Sequence, residues 1–109
     1  MKLSEKDFID MTKLKNLQEI TWLRTQKGCP GLYRVLTDNG EDLLVIFSKE
    51  NHYKKRKEEF NLFKRIHRYN KEASNALFFK KIKNQVCTVL EWKENIFMQK
   101  IVYYYSNNE

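Results

Sequence analysis

The sequence predicts an α+β fold: a single compact domain over residues 1–109, with one long basic amphipathic helix packed on a face of a mostly antiparallel sheet. Three observations lead there. Two β-rich runs flank Asp38-Asn39-Gly40, the composition of a hairpin turn. Residues 43–47 and 86–90 are almost wholly apolar, the pattern of strands covered on both faces, and the first of them is expected at the centre of its sheet. Between these runs, from residue 50 to about residue 70, the apolar period changes to that of a helix. A chain of 109 residues, 41% hydrophobic and 32% charged, has material for one core and not two.

The expected order is α-β-β-β-α-β-β-(β). Ser4-Glu5-Lys6-Asp7 has the Ser-x-x-acid form of a helix start, because the hydroxyl can accept a first-turn amide. Phe8, Met11, Leu14 and Leu17 follow at helical spacing, so a helix is predicted over 4–19. Residues 20–24, with Thr21 and Trp22, favour a strand. Gly28-Cys29-Pro30-Gly31 then reads as a loop. Residues 32–37 and 41–48 are the arms of the first hairpin, and Asn39-Gly40 suits a type I′ turn, where both residues take positive φ. In the helix that follows, Phe60, Leu62, Phe63 and Ile66 cluster on the side predicted to lie on the sheet. Lys54, Lys57, Asn61, Lys64, Arg65 and Arg68 cluster on the other. Residues 77–83 and 86–92 read as a second hairpin around Asn84-Gln85. The tail, 96–105, leaves a last strand and a short helix both open, with its β-branched and aromatic content favouring the strand.

Charge is concentrated in one place. The formal net charge is +7, yet residues 1–48 balance to zero and residues 84–109 to −1. Residues 49–83 hold twelve cations against four acids and so carry the whole excess. A block of this kind attracts polyanions, because neutralised phosphates release condensed counterions. The bland alternative is a solvated face that keeps the protein soluble. Sixteen lysines to five arginines leave few of the planar forks that read base edges, so backbone contact is the expected mode.

Several chemistries find no support. His52 and His67 lack i, i+4 spacing, and neither belongs to a Cys or carboxylate cluster, so no metal is expected. Cys87 lies in a buried-strand pattern and reads as a small core hydrophobe; Cys29 reads as a loop thiol. A Gly-x-Ser-x-Gly elbow, a Walker-type loop and Gly-x-Gly-x-x-Gly are all missing, so neither nucleophilic catalysis nor a phosphate cradle nor any cofactor is expected. No apolar run approaches the ~20 residues of a membrane helix. Residues 1–9 show no signal-peptide core, and the expectation is a reduced, cytoplasmic protein, in a host cell's cytoplasm if it is viral.

Two resemblances concern the order of elements. Strand-strand-strand-helix-strand-strand resembles the small lobe of protein-kinase-like folds, but Val45-Ile46-Phe47 stands on the strand where that family carries its phosphate-binding lysine. With no room for a catalytic lobe, kinase activity is not expected. Helix-strand-strand-strand-helix-strand is similar to the core of restriction-endonuclease-like nucleases. There the resemblance implies a metal site with Asp38, Glu41 or Asp42 as acid and Lys49 as lysine, with Phe47 in the place of the second acid. Glu91-Trp92-Lys93 has the right triplet on the wrong strand for that order.

The leading expectation is a small non-catalytic protein that contacts nucleic acid through Lys54, Lys57, Lys64, Arg65, Arg68, Lys80 and Lys81. Phe78-Phe79 and Trp92 sit beside lysines and are candidate stacking rings, although alternation puts one of Phe78 and Phe79 in the core. Tyr103-Tyr104-Tyr105 is the better exposed group, or an edge that pairs with a second copy or with another protein. The first alternative is a viral, phage or mobile-element accessory protein whose cationic helix docks on an acidic host protein. The second is a divergent nuclease.

Overall fold

Five strands form one fully antiparallel sheet in the order β1-β2-β3-β5-β4, with β1 Leu17–Leu23, β2 Gly31–Thr37, β3 Asp42–Lys49, β4 Ala76–Ile82 and β5 Gln85–Glu91. Helix α1, Tyr53–Tyr69, follows a short 3-10 turn at Glu50–His52, and α2 spans Ile96–Asn107. This computed structural model describes residues 9, 12, 14, 16–23 and 31–107. The helix expected over 4–19 therefore falls largely outside the described residues; within them, Ile9 and Thr12 are helical and Leu17 already belongs to β1. Of the expected loop Gly28-Cys29-Pro30-Gly31, the first three residues also lie outside them, and Gly31 opens β2.

Strand β3 is central, paired to β2 on one side and β5 on the other, and its residues 43–48 are all buried. Alternation explains the unbroken apolar run. Leu44 and Ile46 join Leu32 and Leu90 under Phe60 of α1 and Met98 and Tyr105 of α2. Leu43, Val45 and Phe47 face the other way, with Tyr33, Val35, Cys87 and Val89, and Leu14 packs against that second core.

The first hairpin turns at Asp38-Asn39-Gly40 as expected, but not through a type I′ turn. Gly40 alone takes a left-handed conformation, at φ +83°, while Asn39 does not. The Gly40 N–H donates to the Thr37 carbonyl at 3.1 Å and the Thr37 N–H to the Glu41 carbonyl at 3.0 Å. This is a three-residue loop closed by a glycine bulge, in which only one position requires positive φ. In the second hairpin the turn is Lys83-Asn84, one residue earlier than the sequence suggests; Ile82 pairs with Gln85 and Lys83 takes the left-handed region.

Helix α1 lies on the sheet through Arg56, Phe60, Phe63 and His67, spaced i, i+4, i+7 and i+11. This corrects the expected apolar side, since Leu62 and Ile66 remain 43% and 39% exposed. The helix is rotated so that Arg56 enters the core, where Ser48 on β3 accepts a hydrogen bond from its Nε at 2.9 Å. At the C-terminal end the Asn70 N–H reaches the Ile66 carbonyl, and His67 Nδ1 lies 2.8 Å from the Ala73 carbonyl oxygen.

Of the two readings open for the tail, the structure has the helix and not the strand that its composition favours. Asn95 caps it, its Oδ1 accepting the Met98 N–H at 3.1 Å, while its Nδ2 donates to the Glu72 carbonyl at 2.7 Å and ties α2 to the loop after α1. Met98, Ile101 or Val102, and Tyr105 then recur inward at helical spacing. A strand would put Tyr103 and Tyr105 on one face; here Tyr105 is fully buried and Tyr103 is 70% exposed. Weak β propensity has lost to an N-cap and a core that accepts a 3.6 period.

Leu44→Ala should lower unfolding free energy by about 2–5 kcal/mol in urea titrations, as a cavity at the sheet centre requires. Leu62→Ala, on the exposed side of α1, should change it by no more than about 0.5 kcal/mol.

Candidate functional site

The outward flank of α1 carries Lys54, Lys57, Lys64, Arg65 and Arg68, all exposed. At 100° per residue they fall within an arc of about 100° and along ~21 Å of helix. Among the described residues none of the five lies within ion-pair distance of a carboxylate. Lys57 and Lys64 hold their ammonium groups 5.9 and 5.4 Å from the rings of Tyr53 and Phe60, so their stems lie along the aromatic surface. Glu58, Asn61, Lys64, Arg65 and Arg68 together line a shallow groove of about 410 Å³.

The two strand lysines do not complete this strip. Phe79 packs in the core under α1 and Phe78 in the opposite one, so alternation along β4 places Lys81 on the α1 side and Lys80 on the far side. Lys80 is thus removed from the expected contact set. Lys81 stays on the right side, but its Nζ sits 3.6 Å from Glu50 Oε1.

Behind the strip lies a buried polar cluster. The Arg56 side chain is 1% exposed and donates from Nη1 to both oxygens of Glu59, at 2.9 and 3.1 Å. The Tyr105 hydroxyl donates to Glu59 Oε1 at 3.0 Å, and the Tyr104 hydroxyl donates to Glu59 Oε2. The guanidinium carbon also lies 4.9 Å from the centre of the Tyr105 ring. Burial works against the Arg56 charge, but the bond to Glu59 and its charge outweigh it, and the group is held protonated beyond its ordinary range. Burial first, and then the Glu59 carboxylate, push both tyrosine hydroxyls up. One carboxylate therefore joins α1 to α2 while one guanidinium joins α1 to β3. The sequence held a signal for this: at helical spacing Arg56 falls on the same side as Phe60.

A second cluster closes the other end of β3. Arg34 Nε and Nη2 donate to Asp42 Oδ1 and Oδ2 at 3.0 and 2.7 Å, and Nη2 lies 3.0 Å from Glu94. Its Cζ stands 4.3 Å over the Trp92 ring, whose Nε1 donates to Glu94 Oε1. One face of Trp92, a candidate stacking platform, is thereby covered. Asp42 opens β3 and Lys49 closes it, which separates them by ~23 Å and points them to opposite faces. The residues that the nuclease resemblance brings to one site therefore stand apart. Among the described residues no three His, Cys, Asp or Glu side chains form a possible metal cluster. Phe47, on the strand where a kinase-like lobe carries its lysine, is buried edge-on to Tyr33 at 5.9 Å, away from α1. Tyr103-Tyr104-Tyr105 lies within α2, so it offers no strand edge to a second copy.

Cys87 is fully buried, and burial pushes its thiol up to about 12. Comparison with known proteins gives no match to a family model, to a curated protein or to a solved structure.

Glu59→Gln should cost about 3–5 kcal/mol, because it strands a buried guanidinium. Replacing the pair together, Arg56→Met with Glu59→Leu, should recover most of that loss in the same urea titration. Stability should also fall at alkaline pH. The unfolded chain gives up the Cys87 proton from its ordinary value of 9.0 while the folded chain keeps it to about 12, so stability is intact below pH 9 and declines as pH rises through that window. Cys87→Ala should remove the part of the decline that begins at pH 9 and leave the part that Tyr104 and Tyr105 begin near their ordinary 10.0.

Proposed function

We propose that this chain is a non-catalytic nucleic-acid-binding protein that holds a phosphate backbone along the outward flank of α1. The single observation that supports the reading is the strip of Lys54, Lys57, Lys64, Arg65 and Arg68, aligned on one flank with no carboxylate pairing among the described residues. Glu58 lines the same groove but forms no ion pair with these cations, so the row keeps a net attraction for phosphates, and the counterions that binding displaces drive it. Three of the five are lysines, point charges without the fork that distinguishes base edges, so recognition rests on the backbone more than on sequence. A cytoplasmic setting goes with this reading, since two cysteines in 109 residues are no disulfide scaffold and Cys87 is a free thiol.

Fluorescence anisotropy against labelled duplex DNA, single-stranded DNA and RNA over a salt series tests it. Five phosphate contacts give a slope of about −4.5 in log K against log salt on duplex DNA, and about −3.5 on single strands. Lys64→Glu, Arg65→Glu and Arg68→Glu together should abolish binding while the circular dichroism spectrum and urea midpoint hold. Binding that ignores salt, or that survives the triple substitution, overturns the reading.

A further inference from the structure

Helix α1 ends on a free aromatic ring. Tyr69 is its last residue and is 91% exposed, the most open large apolar side chain among the described residues. Among those residues its ring meets no other ring, no cation and no hydrogen-bond partner. A single exposed ring is ordinary, but the surroundings of this one are not. At 100° per residue Tyr69 stands about 40° around the helix from Arg65, four residues before it, and it follows Arg68 directly. Both arginines line the groove of about 410 Å³ on the outward flank, with Lys64, the Asn61 amide and the Glu58 carboxylate. Lys71, two residues beyond the ring, is exposed as well. One end of the phosphate strip thus joins cations, an amide and an unused ring.

The other rings beside cations are engaged elsewhere. Phe79 lies 5.4 Å from Tyr53 and 5.5 Å from Phe60, and Phe78 packs in the second core. Tyr53, at the far end of the strip, spends its ring on Phe79 and on the Lys57 ammonium. Arg34 covers one face of Trp92, and Tyr104 and Tyr105 bond to Glu59.

We propose that the nucleic acid held by α1 is single-stranded, and that one of its bases stacks on Tyr69 while Arg65 and Arg68 hold the neighbouring phosphates. This rests on the phosphate-binding reading of α1 and narrows it. In a duplex the base faces cover one another, so the ring finds nothing to stack on. In a single strand every base offers a face whatever its identity, which suits a surface that reads little sequence. A tyrosine has two torsions to fix, so ordering its ring costs little, and the hydroxyl can stay in water. The ~21 Å of the strip matches about six nucleotides at the ~3.4 Å rise of a stacked strand.

The test is fluorescence anisotropy with labelled oligo(dT) and oligo(rU) of about twelve nucleotides and a duplex of the same length, all at one low salt concentration. Tyr69→Ala should weaken both single strands by about fivefold or more and change the duplex by less than about twofold. Its salt slope should match that of the parent chain, since no phosphate contact is lost. Tyr69→Phe keeps the ring and should bind single strands within about twofold of the parent. The urea midpoint of both variants should hold, because the side chain packs on nothing. Single strands that bind Tyr69→Ala as tightly as the parent overturn this inference and leave the phosphate reading standing. So does a duplex that loses as much affinity as the single strands. If none of the three probes binds the parent chain, both readings fall together.

Discussion

A guanidinium taken out of water has to be fully partnered, and Arg56 sets the geometry of everything around it. Among the described residues it is held from three elements: Ser48 on β3, Glu59 one turn along α1, and the ring of Tyr105 on α2. Rotating α1 enough to bury Leu62 or Ile66 would break those contacts and leave a charge without water or partner. The hydrophobic gain from either side chain is about 1.5–3 kcal/mol, less than the cost of stranding the ion. The polar cluster therefore wins over the best apolar helix face, and the helix settles on Arg56, Phe60, Phe63 and His67.

That rotation creates the two surfaces of α1. With Arg56 turned inward, Lys54, Lys57, Lys64, Arg65 and Arg68 gather on one flank, while Lys55 and the apolar Leu62 and Ile66 lie on the other. By accepting from Arg56, Tyr104 and Tyr105, Glu59 is unavailable to the outer lysines, and it ties α2 to α1. Beneath, β3 and β5 give the helices a rigid floor because both of their faces are filled.

Much of this architecture could be read from the residues, for identifiable reasons. Continuous apolar runs at 43–47 and 86–90 have one economical placement, inside a sheet covered on both faces, and Gly40 marks a turn that only glycine accommodates at φ +83°. Tertiary terms decided the rest. Arg56 counted as one more cation in a basic block, because composition does not reveal which charge is partnered inside the core. The 96–105 segment carries strand-forming residues, but its cap, Asn95, and the inward spacing of Met98 and Tyr105 matter more. Lys80 and Lys81 looked equivalent in sequence; as adjacent residues of a regular stretch of β4 they point to opposite faces. The strip on α1 was legible because helical periodicity alone arranges it. The free ring of Tyr69 was not, since the seating of the helix on the sheet decides which aromatic stays outside.

The most direct measurement of the central claim is the NMR signature of the Arg56 side chain. The account predicts a slowly exchanging Arg56 Nε–H at neutral pH, with strong nuclear Overhauser contacts from the Tyr105 ring to Arg56 and from the Tyr104 and Tyr105 rings to Glu59. An Arg56 Nε–H that exchanges as fast as those of Arg65 and Arg68, with no contact to either tyrosine, would contradict it.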